Sequence, residues 1–177
     1  LANPDAYDLG ERVAIIGMGN SAMDVARTVI RHGAREVTLY ARGLASNASE
    51  HETAYARLDG AAFEFGKQIA EITDNGPVFE NILYDEEGNQ TGVDEKMEQI
   101  YADSTIISIS QGPKSKLVNT TEGLKASPNG LLMTDENGQT TIPGIFASGD
   151  VVLGARTVVE AAAYSKVVAE AMDEYMR

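Results

Sequence analysis

The stretch Val13–Ala26, which reads VAIIGMGNSAMDVA, constrains the fold more than any other part of this chain. The apolar run Val13-Ala14-Ile15-Ile16 stops at Gly17. The turn Gly17-Met18-Gly19-Asn20-Ser21-Ala22 follows, and a helical pattern begins without a gap. This order spells strand, tight glycine turn, helix. Gly17 permits a turn that a Cβ would resist, and Gly19 lets the backbone come close to a ligand. Ala22 is small enough for the helix to pack on the strand. The free N–H groups and positive end of such a helix suit a pyrophosphate. A glycine pattern carries this meaning only between a buried strand and an amphipathic helix, and here it has both.

Spacing extends the reading. Glu11–Ile16 reads as the first strand and Glu36–Tyr40 (EVTLY), rich in strand formers, as the second. Between them Ser21–His32 repeats apolar residues at helical intervals, with Gly33 as the expected C-cap and His32 as a surface capping residue. In a dinucleotide fold the residue at the end of the second strand, about 20 residues beyond the glycine turn, meets the adenosine ribose. A carboxylate there selects NAD. This chain has Arg42, whose planar fork suits a phosphate, so NADPH is expected over NADH. Farther on, Glu50–Leu58 reads as a helix. Ala62–Phe65, Gln68–Thr73, Val78–Tyr84 and a polar strand running to Ala102 read as short strands, the last ones as an antiparallel meander with a turn at Asp74-Asn75-Gly76-Pro77. Ser104–Ser110 is expected to pair in parallel with the first strand, ending in a turn at Gln111-Gly112-Pro113. The expected class is α/β: a Rossmann-like three-layer fold with a parallel sheet and an antiparallel β-meander.

The last third carries a second motif. Leu131–Thr134 and Ile145–Ala147 read as short strands, the latter buried and ending at Gly149-Asp150. The exposed Asp150 could accept hydrogen bonds from a sugar-alcohol hydroxyl. Thr157–Tyr175 reads as a long helix opened by a capping box of Thr157 and Glu160. Its start, Thr157-Val158, would turn N–H groups toward an electron-rich ligand edge.

Composition narrows the partners. A net charge of −13 argues against nucleic acid and against an anionic lipid surface. The chain contains no cysteine, so no disulfide, thiolate zinc site or Cys-ligated iron–sulfur cluster lies within it. The two histidines, His32 and His51, lack partners at metal-ligand spacing. No apolar run is long enough to span a bilayer, and no signal-peptide pattern opens the chain. A cytoplasmic protein is expected. The first residue is Leu1, which suggests a piece of a longer protein.

Taken together, Ile16–Arg27, Val37-Thr38-Leu39, Ile107–Pro113, Gly144–Asp150 and Gly154–Ala161 resemble the glutamate synthase small-subunit group of FAD-dependent pyridine nucleotide-disulfide oxidoreductases. Dihydropyrimidine dehydrogenase carries a related module. The resemblance implies that Gly17, Gly19, Asn20, Ser21 and Ala22 line the NADPH pyrophosphate, and that Gln111 and Gly112, in the turn at the carboxyl edge of the sheet, are cofactor-binding. It implies that Gly149 and Asp150 hold the FAD ribitol, and that the Thr157-Val158 backbone approaches the flavin. The group usually has two adjacent arginines after its second strand; here Gly43 follows Arg42. It usually has Gly where Ser110 stands. Residues 11–113 would be an NAD(P)H-binding domain and 114–177 the C-terminal portion of an FAD-binding domain whose N-terminal portion is missing. In the intact protein hydride would pass from NADPH to FAD, with no protein nucleophile. Electrons would then continue through an iron–sulfur domain or subunit outside this chain. The alternative is a nucleotide-binding regulatory module without redox chemistry.

Overall fold

The computed structural model describes residues 6–109 and 112–177 and divides into two compact units, Leu1–Ser110 and Gln111–Arg177. In the first unit, strands β1 (Arg12–Ile16), β2 (Glu36–Tyr40), β3 (Ala62–Glu64) and β7 (Ser104–Ile107) form a parallel sheet in the order β3-β2-β1-β7. Strands β4 (Lys67–Thr73), β5 (Gly76–Tyr84) and β6 (Gln90–Gln99) form the antiparallel meander.

β1 is apolar on both faces because both are covered. Val13 and Ile15 pack with Met23, Ala26 and Val29 of helix α1 (Asn20–Arg31). Ala14 and Ile16 pack with Tyr40, Phe79 and Ala102, Phe79 being a residue of the meander. The unit is therefore layered as helices, parallel sheet and meander, the three-layer arrangement expected. Phe79 is fully buried and stacks on Tyr40 with ring centroids 4.6 Å apart. Burial pushes the Tyr40 phenol above its ordinary pKa. On the helical side, α2 (Glu50–Leu58) is pinned to α1 through Arg27, which meets Asp59 at 3.0 Å and Glu52 at 3.4 Å. The Arg27 hydrogen bond holds Asp59 below the usual carboxylate range.

Boundaries move by small, explicable amounts. α1 starts at Asn20, one residue earlier than expected, because Gly19 is already extended and serves as N-cap. His32 takes the C-cap and Gly33, at φ +102°, follows it, the position where a left-handed residue is favoured. Gly76 and Pro77, expected in the turn, belong to β5, since Gly76 pairs with Thr73 and Pro77 with Ile72. β7 ends at Ile107; Ile107 and Ile109 are exposed, as suits the edge strand of the sheet.

The second unit corrects the sequence reading. Leu131–Thr134 and Ile145–Ala147 were expected as strands. Among the described residues this unit holds only isolated bridges there: Ala126 with Leu132, Thr134 with Thr140, and Gln139 with Phe146. Ile145 is 43% exposed rather than buried. A strand needs a ladder of hydrogen bonds along its length, and residues 138–140 give the segment 145–147 only a single bridge, with the Thr140 N–H donating to the Ile145 carbonyl and the Ala147 N–H to the Gly138 carbonyl, both at 2.8 Å. The connection after Pro113 contains a short helix, α3 (Lys116–Thr120). α4 (Asp150–Leu153) is a single turn, and α5 (Val158–Met176) is long, with Val168 its buried residue. Gly138 allows that contact: a Cβ there would lie 2.4 Å from a Val168 methyl.

Candidate functional site

The glycine turn sits where the sheet changes direction. β2 flanks β1 on one side and β7 on the other, so the carboxyl ends of these strands surround a topological switch point, where open α/β sheets bind ligands. The two glycines have different work. Gly17 has φ +126°, and a Cβ on it would lie 2.1 Å from the Ser108 carbonyl oxygen. Its lack of a side chain lets β7 close against β1, with the Ser108 N–H bonding the Ile16 carbonyl at 2.8 Å. Gly19 is extended (φ −92°, ψ 178°), and a Cβ on it would meet nothing within 4 Å. The space above Gly19 is open.

That space faces a helix whose N-cap, Gly19, offers no side-chain cap. Among the described residues no acidic residue lies in the first turn of α1. The Ala22 and Met23 N–H groups bond the Gly19 carbonyl. The N–H groups of Asn20 and Ser21 have no intrahelical acceptor and point out with the positive end of the helix dipole. Ser21 is exposed. Ala22 is fully buried beneath the turn and packs the helix on the strand; it does not face the open side. These residues fit a pyrophosphate: open space, two free donors, no competing carboxylate.

Arg42 follows β2 on the same edge. It is exposed, and its guanidinium has no partner among the described residues. The segment after it is fastened to the glycine turn. The Met18 carbonyl accepts the Ser46 hydroxyl at 3.0 Å and the N–H groups of Asn47 and Ala48 at 3.0 and 3.1 Å. Asn20 Oδ1 accepts the Ser49 N–H at 2.8 Å. Sequence reasoning did not find these fastening bonds. The partners lie 28 to 30 residues apart along the chain, and no local pattern marks them.

In the second unit Gly112, Gly130, Leu131, Asp150 and Gly154 line an open cavity of about 590 Å³. That volume is typical of small-molecule sites. Gly149, at φ +75°, turns the chain into α4, and Asp150 is exposed. One Asp150 oxygen accepts the Arg156 N–H at 3.4 Å. The carboxylate therefore keeps acceptor capacity for a hydroxyl-rich ligand. The capping box expected at the start of α5 is formed, and the Thr157 N–H is donated to the Glu160 carboxylate at 3.1 Å. Val158 and Val159 carry the N–H groups without intrahelical acceptors, and both side chains are exposed. The Thr157 hydroxyl, then its N–H, then Arg156 lower the Glu160 pKa to about 2. Gln111 lies outside the described residues. Among those residues no cluster of His, Asp or Glu could hold a metal ion, and no helix is long and apolar enough to cross a membrane.

Comparison with known proteins gives the same direction. The NADP(+)-dependent formate dehydrogenase subunit beta of Moorella thermoacetica is 31% identical, over 95% of this chain and 25% of that protein. The glutamate synthase (NADPH) small chain of Halomonas elongata is 33% identical, over 94% of this chain and 39% of its own length. The chain thus spans between a quarter and two fifths of these relatives. Among solved structures, T. acidophilum thioredoxin reductase shares the fold with a TM-score of 0.76 at 19% identity, covering 99% of this chain and 56% of the reductase. Lactococcus lactis thioredoxin reductase does so at 0.70 and 23%, covering 92% and 52%. Residues 2–166 match the sequence pattern of pyridine nucleotide-disulphide oxidoreductases, and the chain belongs to that family of FAD- and NAD(P)H-using oxidoreductases.

Proposed function

We propose that this chain is the NAD(P)H-binding part of a flavoprotein oxidoreductase resembling the glutamate synthase small chain, together with the returning end of its FAD-binding domain. The observation that carries this reading is the open, uncapped α1 N-terminus over Gly19, at the carboxyl edge of β1 beside β2 and Arg42. In this reading the N–H groups of Asn20 and Ser21 hold the dinucleotide pyrophosphate, and the Arg42 guanidinium pairs with the ribose 2′-phosphate. NADPH is accordingly the preferred ligand. Asp150 accepts hydrogen bonds from the FAD ribitol, and the free N–H groups at the start of α5 face the flavin edge. Bound FAD would supply the hydride-accepting chemistry; the residues of this chain bind and orient. The remaining FAD cradle, and the iron–sulfur partner that passes electrons on, would lie in the rest of the intact protein. The short span of the relatives supports that division.

Calorimetric titration of the chain with NADPH, NADH and FAD, each alone, tests the reading. NADPH binding markedly tighter than NADH is expected, with weak or undetectable FAD binding. Absence of binding by either nicotinamide nucleotide would overturn it.

A further inference from the structure

The bonds that fasten the segment 41–49 have a use that the site residues alone do not explain. Arg42 is exposed, and an arginine on a mobile segment gains little selectivity, because ordering it on each binding event costs entropy. Here the segment is held at both ends. At the near end the Tyr84 hydroxyl donates to the Arg42 carbonyl. The Lys67 N–H donates to the Ala41 carbonyl at 2.9 Å, and the Gly66 N–H to the Gly43 carbonyl at 3.3 Å. At the far end Ser46 holds the Met18 carbonyl inside the glycine turn. The backbone bearing Arg42 is therefore fixed against the turn that would receive the pyrophosphate. Tyr84 is the last residue of β5, 42 positions along the chain, and with the Lys67 N–H of β4 its hydroxyl carries the meander across to the Arg42 segment.

We propose that Tyr84, together with Ser46, is a positioning residue for coenzyme preference. It presets the Arg42 backbone so that the guanidinium meets a ribose 2′-phosphate at small entropic cost. The inference rests on the reading of Arg42 given above. The meander then has a part in choosing NADPH over NADH as well as in covering the sheet. A loop closed merely for stability would affect both nucleotides alike; a preset Arg42 affects only the one carrying the 2′-phosphate.

The experiment titrates the 177-residue chain and its Tyr84→Phe, Ser46→Ala, Arg42→Ala and Tyr84→Phe/Arg42→Ala variants with NADPH and with NADH. Tyr84→Phe keeps the ring and removes one hydrogen bond. It is expected to weaken NADPH about three- to tenfold, leave NADH unchanged and leave the thermal midpoint near that of the parent. Ser46→Ala is expected to act in the same sense. In the Arg42→Ala background Tyr84→Phe is expected to have no further effect on the NADPH-to-NADH ratio, the signature of action through Arg42. If Arg42→Ala collapses the ratio while Tyr84→Phe leaves it intact, or lowers both nucleotides equally, the positioning role is overturned and the Arg42 reading stands. If Arg42→Ala itself leaves the ratio intact, both fall.

Discussion

The pair Gly17→Ala and Gly19→Ala separates fold from function within one turn. At Gly17 the new methyl would need to adopt φ +126°, where L residues are strained, at a cost of about 1–3 kcal/mol. It would also lie 2.1 Å from the Ser108 carbonyl oxygen, so β7 must shift, adding about 1–3 kcal/mol of overpacking. The sum, roughly 2–6 kcal/mol, is a large part of the 5–15 kcal/mol typical of a folded protein. At about 2–4 °C per kcal/mol, the melting midpoint should fall by on the order of 10 °C. At Gly19 the backbone is already extended and a Cβ meets nothing within 4 Å. Ala there loses about a few tenths of a kcal/mol of capping preference and regains a similar amount by stiffening the unfolded chain. Its midpoint should stay within about 2 °C of the parent. Its methyl, however, enters the space above the Asn20 and Ser21 N–H groups. NADPH affinity should drop at least about tenfold, the equivalent of 1.4 kcal/mol. Circular dichroism melts and calorimetry on the two variants read both quantities. A Gly19→Ala protein that melts normally and binds NADPH as well as the parent would refute the pyrophosphate assignment. A Gly17→Ala protein that melts like the parent would refute the close approach of β7.

Other expectations follow from single contacts. Arg42→Ala should cut NADPH affinity by about 10- to 100-fold through loss of charge-assisted bonds, with NADH affinity unchanged in the same titration. Phe79→Ala should destabilise the first unit by about 3–5 kcal/mol, because it empties a fully buried site stacked on Tyr40; a urea melt with an unchanged midpoint would contradict that packing. The start of α5 should be acid-sensitive. Glu160 has its folded pKa lowered from 4.5 to about 2, so its support is complete above pH 4.5 and disappears as pH falls through about 2. Amide exchange at Val158–Ala161 should rise across that window in the parent, while Glu160→Ala, already without the capping box, should show no such step.

What decides coenzyme choice in this reading is distributed across the chain. The guanidinium comes from the end of β2, the pyrophosphate donors from α1, and the hydroxyl that holds the Arg42 backbone from β5. Changing preference would thus call for more than a substitution at Arg42. Replacement by a carboxylate to favour NADH leaves the segment held in the position suited to a phosphate. A shorter, differently anchored segment would be needed as well.

Local patterns were readable from residues alone. The glycine turn, the helix behind it, the α2 span Glu50–Leu58 and the capping box of Thr157 and Glu160 each depend on neighbours within one or two helical turns, and spacing records such neighbours directly. The parallel pairing of the first strand with Ser104–Ile107 was also legible, because both segments are short apolar runs ending in glycine-rich turns. Other features were not. Gly17 looked like a turn glycine; the Ser108 carbonyl 91 positions away makes it indispensable. Ile145–Ala147 looked like a buried strand, yet it meets residues 138–140 through a single bridge, and apolar spacing is silent about how far such pairing runs. The Asn20 side chain holds Ser49, a contact that no local pattern marks. Tyr84 was read as the end of a strand, and its hydroxyl bonds the Arg42 carbonyl. The sequence by itself determined the turn, the helices α1, α2 and α5, and a positive charge just after β2. Only the tertiary structure decided which backbone the turn must accommodate and what holds Arg42 in place, because those contacts join residues that only folding brings within hydrogen-bond reach.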